Sequence, residues 1–100
     1  MTYIEGEMKV ETKITYSRLF EKQIEKMPLH IKKRVRGWIF TVNKEGIAKT
    51  MKLRTYRDEA LKGKRKGQRS IWLNKAYRLI YEIKDQNIHI HILEVNKHEY

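Results

Sequence analysis

The spacing of apolar residues changes along the chain, and each change marks a predicted element. Over residues 8–16, apolar or β-branched side chains occupy every second position, which is the pattern of a β-strand. Ser17 follows, a residue type that caps helix N-termini, and Phe20, Ile24 and Met27 then recur at helical spacing. The pattern predicts a strand followed directly by a short helix.

The next segment predicts a longer helix. Pro28 suits its first turn, where a missing N–H costs nothing. Gly46 suits its end, because glycine readily adopts the left-handed conformation found there. The apolar stripe between them consists of Ile31, Val35, Trp38, Ile39 and Val42, and the basic residues Lys32, Lys33, Arg34 and Arg36 lie largely off it.

The C-terminal half predicts a sheet. Residues 47–67 form a polar connection with little periodicity, long enough to be functional or to contain a short element. Three strands follow at 68–73, 77–84 and 87–95, and the turns between them are short. Such short turns require antiparallel pairing.

These elements predict an α+β fold in the order β-α-α-β-β-β. Two N-terminal helices pack on one face of an antiparallel sheet and leave the other face partly open. We expect one domain over residues 1–100, with 1–7 as a lead-in and either Met1 or Met8 as the first residue.

The net charge of the chain indicates the class of partner that it binds. The chain has 23 lysines and arginines against 12 acidic residues, a net charge of +11. A balance this basic indicates nucleic acid, an anionic membrane surface or an acidic protein as the partner. There is no cysteine for a disulfide or a thiolate zinc site, and no apolar run near the roughly 20 residues that span a bilayer. We expect a soluble cytoplasmic protein.

The cations concentrate in a glycine-containing loop. Its basic residues, with the first of the strand that follows, are Lys62, Lys64, Arg65, Lys66 and Arg69. Like charges repel, so such a cluster favours a polyanion as its ligand. His98 and Tyr100, at the end of the chain, add a proton carrier and a stacking ring. The combination favours RNA.

These same residues carry a family resemblance. Segment 61–83, LKGKRKGQRSIWLNKAYRLIYEI, and the ending EVNKHEY resemble the RelE/ParE superfamily of bacterial toxins, most closely its HigB- and RelE-like ribonuclease branch. The resemblance implies a twisted antiparallel sheet with two helices, and cleavage of messenger RNA in the ribosomal A site. It also implies an antitoxin that neutralises the toxin. We expect this antitoxin to be acidic where it covers the cationic cleft and to carry a helix-turn-helix DNA-binding part.

Cleavage by attack of the ribose 2′-hydroxyl needs a base, neutralisation of phosphate charge and an acid, and side chains can supply all three without a metal or cofactor. The resemblance implies that Arg78 clamps the scissile phosphate. The alternative is an arginine that ties strands together by pairing with a carboxylate such as Glu82 or Glu94. We expect His98 to carry the proton, as a neutral base rather than an acid because nearby cations disfavour its charged form, unless it lies on a solvated tail.

The remaining basic residues divide between catalysis and docking. We expect Lys64 and Arg69 to act in catalysis, although the sequence does not show which loop lysine points inward. RNA docking is expected of Lys62, Arg65, Lys66, Lys97, Tyr100 and Trp72. The alternative is an ordinary solvated charge run.

Some residues leave two interpretations open. Trp72 stands where relatives often have a basic residue; we favour a place in the core, and the alternative is a stacking ring in the cleft. His89 and His91 project from one face of a strand, but no third ligand is suitably spaced, so we expect a half-exposed edge-strand pair rather than a zinc site.

Three functions remain open. The first is a ribosome-dependent endoribonuclease toxin. The second is a ParE-like toxin of the same fold that inhibits DNA gyrase without cutting RNA. The third is an RNA-binding module without catalysis. The terminal histidine and tyrosine beside a basic loop favour the first.

Overall fold

A computed structural model describes residues 11–97 of the chain. Its elements are β1 (Lys13–Tyr16), α1 (Arg18–Glu25), α2 (Leu29–Glu45), α3 (Ile47–Thr50), β2 (Glu59–Ala60), β3 (Gln68–Trp72), β4 (Tyr77–Lys84) and β5 (His89–Lys97). Single 3₁₀ turns occur at Arg54–Tyr56 and Gly63–Arg65. None of the helices within these residues is long and apolar enough to cross a membrane.

The strands form one sheet in the order β1-β5-β4-β3-β2. Strands β2 to β5 pair antiparallel, as the short turns require, whereas β1 pairs parallel with β5. The predicted α+β fold with two helices on a sheet is confirmed, and β1 makes the sheet mixed. Since β5 lies between β1 and β4, the prediction that its histidines stand on an edge strand is wrong.

Helix α1 begins and helix α2 ends at residues that the sequence predicts as a cap and a terminator. The Phe20 amide donates a hydrogen bond of 3.0 Å to Ser17 Oγ, which caps α1. Gly46 ends α2 with a φ of 87°, in a region that favours glycine. Both helices are therefore bounded by residues suited to their positions.

One face of the sheet carries the core. Ile31, Val35, Trp38 and Val42 of α2 are buried against it, and the Trp38 ring lies 4.9 Å from that of Tyr81 on β4. The buried sheet residues of this covered face are Ile71, Leu79, Tyr81, Ile90, Ile92 and Val95. Side chains alternate along a strand, so their sequence neighbours point to the other side. We call that other side the open face.

The polar connection over residues 47–67 contains short elements, which is one of the two possibilities that its length suggested. Helix α3 follows directly after Gly46, and β2 pairs with β3 through Glu59 opposite Ser70 and Ala60 opposite Arg69. The glycine loop is thus the tip of a β2–β3 hairpin. This hairpin places residues 57–59 at the edge of the sheet beside β3.

Candidate functional site

Arg78 lies on the open face, on β4 between the two neighbouring strands. Its backbone partners are Trp72 on β3 and Asn96 on β5. The side chain is 19% exposed, and its nearest carboxylate oxygen, on Glu59, is 3.9 Å from Nη1. Within residues 11–97 the guanidinium makes no hydrogen bond, so its donors stay available to an anion.

The alternative role for Arg78, an ion pair that ties strands together, occurs in the structure with Glu59 on β2 and not with Glu82 or Glu94. Glu94 instead accepts a hydrogen bond of 2.7 Å from Arg65, and Glu82 lies 3.9 Å from Lys84. The open face therefore carries acidic as well as basic side chains. Because the contact with Glu59 is long, the guanidinium N–H groups of Arg78 stay unused, whereas Arg65 donates two hydrogen bonds.

Glu59 is the carboxylate beside that fork. It lies on β2 opposite Ser70, and its side chain is 59% exposed. A carboxylate is a proton acceptor, and a guanidinium with unused N–H groups can donate to an anion. The pair therefore places donors for an anion next to a proton acceptor.

Trp72 faces the same side as Arg78, so the expectation that it belongs to the core is wrong. Two guanidinium groups contact its ring: the Arg57 carbon is 4.2 Å from the ring centroid and that of Arg78 is 5.6 Å away. The buried position belongs to the preceding residue, Ile71, which pairs with Leu79. Trp72 offers the open face an aromatic surface flanked by positive charge.

Arg69 does not join Arg78. It pairs with Tyr81 and so points to the covered face, where Nε donates a hydrogen bond of 2.6 Å to Asp58. The Asp58 side chain is 1% exposed, and its second oxygen accepts a hydrogen bond from the Tyr81 hydroxyl. Arg69 thus anchors residues 57–59 to the sheet instead of facing the open side.

This buried triad shifts two pKa values. Burial raises the pKa of Tyr81 well above its ordinary value, and the hydrogen bond and charge of Asp58 raise it further. Burial alone would lower the pKa of Arg69, but the hydrogen bond and charge of Asp58 outweigh it and raise that pKa. The tyrosine stays neutral and the arginine charged, as structural partners of one carboxylate.

The hairpin tip presents its lysines to solvent. Lys62, Lys64 and Lys66 are exposed, whereas Arg65 turns back and donates hydrogen bonds of 2.7 Å to Gln68 and to Glu94. Arg65 therefore holds the tip against the open face. The catalytic role expected of Lys64 and the docking roles of the other lysines stay predictions.

The C-terminal residues of the expected site are placed only in part. The Lys97 side chain is exposed, and in the strand register Lys97 lies opposite Tyr77, whose side chain packs on the covered face. Asn96, one residue earlier, is the partner of Arg78. His98 and Tyr100 lie outside the described residues, so their roles also stay predictions.

His89 and His91 contact one hydroxyl. Thr15 Oγ1 lies 2.7 Å from His89 Nε2 and 2.6 Å from His91 Nδ1, which ties β1 to β5. Residues 11–97 contain no cluster of three or more acidic or histidine side chains that would hold a metal. The half-exposed environment predicted for this pair is confirmed.

Sequence reasoning missed the charged triplet Arg57, Asp58 and Glu59. Each member has a separate partner: Trp72, Arg69 and Arg78, respectively. The triplet lies within a connection that has no periodicity, so no local pattern distinguishes it. Only the β2–β3 pairing reveals it.

Comparison with known proteins agrees with this fold. A family model described as the ParE toxin of the type II toxin-antitoxin system, parDE, matches residues 14–99. No curated protein has a sequence that matches the chain.

Solved structures share the fold at low sequence identity. The YoeB/ParE toxin from Agrobacterium tumefaciens is 14% identical with a TM-score of 0.71, over 88% of this chain and 100% of that one. The archaeal RelE–RelB complex from Pyrococcus horikoshii OT3 is 16% identical with a TM-score of 0.69, over 88% and 96%. The E. coli DinJ–YafQ complex is 21% identical with a TM-score of 0.66, over 89% and 94%. The chain therefore belongs to the RelE/ParE superfamily of type II toxins, as the match to the ParE toxin family over most of its length shows.

Proposed function

We propose that this toxin is an endoribonuclease that cuts messenger RNA in the ribosomal A site. The observation that carries the proposal is the open-face cluster: a recessed Arg78 with unused donors, an acceptor on Glu59 and an aromatic ring on Trp72. Phosphate charge, a ribose proton and an unstacked base are the three features of single-stranded RNA that these groups recognise.

The chemistry proceeds by attack of the 2′-oxygen on the adjacent phosphorus. Glu59 takes the 2′-hydroxyl proton, and Arg78 forks onto the phosphate oxygens as negative charge builds up. The bond to the 5′-oxygen breaks, and His98 supplies the proton for that oxygen, since Glu59 takes the role of base that the sequence suggested for the histidine. The products are a 2′,3′-cyclic phosphate and a free 5′-hydroxyl, and side chains of the protein fill every role.

Other residues grip the substrate. Trp72, with Arg57 over its ring, provides a surface for a splayed base. The exposed Lys62, Lys64 and Lys66 reach along the RNA backbone, and Tyr100 extends this contact. Lys97 is opposite Tyr77 on the covered side and so reaches the RNA only from the end of β5. Arg65 contributes by holding the loop, and Arg69 takes no part in catalysis because it points to the covered face.

A translation extract tests the proposal. The toxin is added to a defined message with ribosomes, and cut sites are mapped by primer extension, with 5′-hydroxyl ends identified by their resistance to ligation until phosphorylated. Arg78→Ala is expected to abolish cutting, whereas Arg18→Ala, an exposed arginine on α1, is the matched control. An intact message with wild-type protein would refute nuclease activity.

A ParE-like action on DNA gyrase is the second candidate. The match to the ParE toxin family favours it. A supercoiling assay with purified gyrase separates the two: inhibition that survives Arg78→Ala and Glu59→Gln, without any cut RNA, supports the gyrase target. Tight RNA binding without cutting or gyrase inhibition would indicate a module without catalysis.

The proposed protein partner is an antitoxin, present in the same cytoplasm as the ribosomes. Two of the similar structures are complexes of this kind, RelE with RelB and YafQ with DinJ. Between α1 and α2 lies an apolar groove of ≈ 450 Å³ with a basic rim, lined by Tyr16, Phe20, Ile24, Glu25, Lys32, Val35, Arg36 and Ile39. It suits an amphipathic acidic helix, which in the antitoxin would precede or follow a helix-turn-helix DNA-binding part.

A further inference from the structure

Most of the positive charge of this protein does not belong to the glycine loop. Residues 26–57 contain ten lysines and arginines and one acidic residue, Glu45, so they hold +9 of the net +11. The segment comprises α2, α3 and the 3₁₀ turn after them. The excess charge therefore lies mainly in the helical layer, not on the hairpin tip.

Helix α2 displays part of this charge as a stripe. Its buried side carries Ile31, Val35, Trp38 and Val42. The opposite side, by helical periodicity, carries the exposed residues Lys33, Arg36, Phe40 and Lys44. At 1.5 Å per residue, Lys33 and Lys44 are separated by about 16 Å along the helix axis, a length that faces several phosphates of a nucleic acid.

The single acidic residue of this segment is paired outside the stripe. Glu45 pairs with Lys49 at 3.9 Å, and both side chains are exposed. Lys33 and Arg36 form no ion pair within residues 11–97. Net repulsion within such a segment destabilises the fold unless a polyanion relieves it.

We propose that the solvent side of α2 docks the phosphate backbone of a folded RNA. Helix α2 packs on the covered face, so this surface lies on the other side of the sheet from Arg78, Glu59 and Trp72. One RNA strand lying on the open face cannot also neutralise it. The surface therefore holds a second stretch of RNA, and this role is independent of whether the chain cuts RNA.

The composition of the surface favours RNA over other anionic partners. A membrane-bound helix needs an apolar stripe, and this side of α2 has a single large apolar residue, Phe40, which is 64% exposed. A protein partner would favour apolar anchors at the centre with few charges, whereas RNA interfaces are basic throughout. Phe40 fits RNA as well, since an exposed ring among cations can stack on a base.

Binding to purified small ribosomal subunits tests the proposal. Lys33→Gln/Arg36→Gln is compared with Lys13→Gln/Lys22→Gln, which removes the same charge from exposed positions on β1 and α1. Both are made with Arg78→Ala, so that no RNA is cut. The α2 variant is expected to bind roughly tenfold or more weakly, and its slope of log affinity against log salt falls by roughly one to two.

The control variant is expected to stay within about twofold of its parent, and thermal unfolding verifies that both fold. Equal losses in the two variants would reduce the effect to net charge and overturn the proposal. Unchanged subunit binding together with weakened binding to polyglutamate would overturn it in favour of an acidic protein. Cleavage by the wild-type protein is scored separately, so a failed nuclease assay leaves this result interpretable.

Discussion

Arg78 and Trp72 stand directly opposite each other on β4 and β3, with the guanidinium carbon 5.6 Å from the ring centroid. The contact places a guanidinium beside an aromatic ring on the same side of the sheet. A phosphate held by one and a base held by the other are neighbouring parts of a nucleotide.

Arg78→Lys keeps the positive charge but removes the planar fork. A lysine ammonium cannot contact two phosphate oxygens in the same fixed geometry, so stabilisation of the transition state is lost. We expect the cleavage rate on ribosomes to fall roughly 100-fold, as when one donor to a developing charge is deleted. The single-turnover rate measures this, and a lysine variant as fast as wild type would contradict the clamp.

Glu59→Gln removes the proton acceptor while keeping the shape. We expect the single-turnover rate to drop roughly 100- to 10,000-fold, the range that general-base catalysis contributes. Glu59→Asp retains the carboxylate and should be partly active. Glu82→Gln is the matched control, because Glu82 is on the same face but lies opposite His91 instead of beside Arg78. Equal activity of the Glu59 and Glu82 variants would exclude Glu59 as the base.

Trp72→Leu removes the ring that a base would stack on. Stacking contributes about 1–3 kcal/mol per base, so weaker substrate binding and a changed distribution of cut sites are expected. Arg57→Gln keeps the ring and removes the cation over it, so it should change the distribution less than Trp72→Leu does. Sequencing of cut ends across a transcript pool measures this, with Tyr16→Leu as the aromatic control. Identical cut-site profiles would show that the ring does not touch the RNA.

Periodicity predicted the elements because each is amphipathic. The apolar stripe of α2 and the strand over 77–84 appear in the structure where the sequence placed them, and Ser17 and Gly46 act as the caps they resemble. Alternation alone does not orient β3, where Ile71 and Trp72 are adjacent and both apolar. The pairing of Ile71 with Leu79 puts Ile71 on the covered face and Trp72 on the open face, and this pairing with another strand is not visible in the local pattern.

The missed parts of the site depend on pairing between distant residues. Strand β2 has two residues, too few for any pattern, yet it brings Glu59 next to Arg78. The parallel pairing of Lys13 with His89 joins the two ends of the chain and has no local signature. The sequence therefore identified residue types suited to a functional site, but it did not show on which face of the sheet each side chain lies.

Asp58→Ala is expected to destabilise the fold by about 3 kcal/mol. Removing one partner of a buried ion pair leaves the other charge uncompensated, and here the Tyr81 hydroxyl also loses its acceptor. Urea unfolding measures the change. Glu45→Ala breaks the exposed pair with Lys49 and should cost about 0.5 kcal/mol or less. A loss for Asp58→Ala as small as this control would mean that the triad does not stabilise the hairpin.

Alkaline pH should weaken the fold through Tyr81. Its pKa is raised above the usual 10.0 in the folded state, so the folded protein keeps the phenolic proton after the unfolded chain has lost it. The stabilisation from this group is complete below pH 10.0 and decreases as the pH rises above it. Between about pH 8 and 11 the urea midpoint should therefore fall more steeply for wild type than for Tyr81→Phe. The lysines and the remaining tyrosines titrate in both proteins, so the difference between the two curves is due to Tyr81. Parallel curves would show that the Tyr81 hydroxyl titrates alike in the folded and unfolded chains.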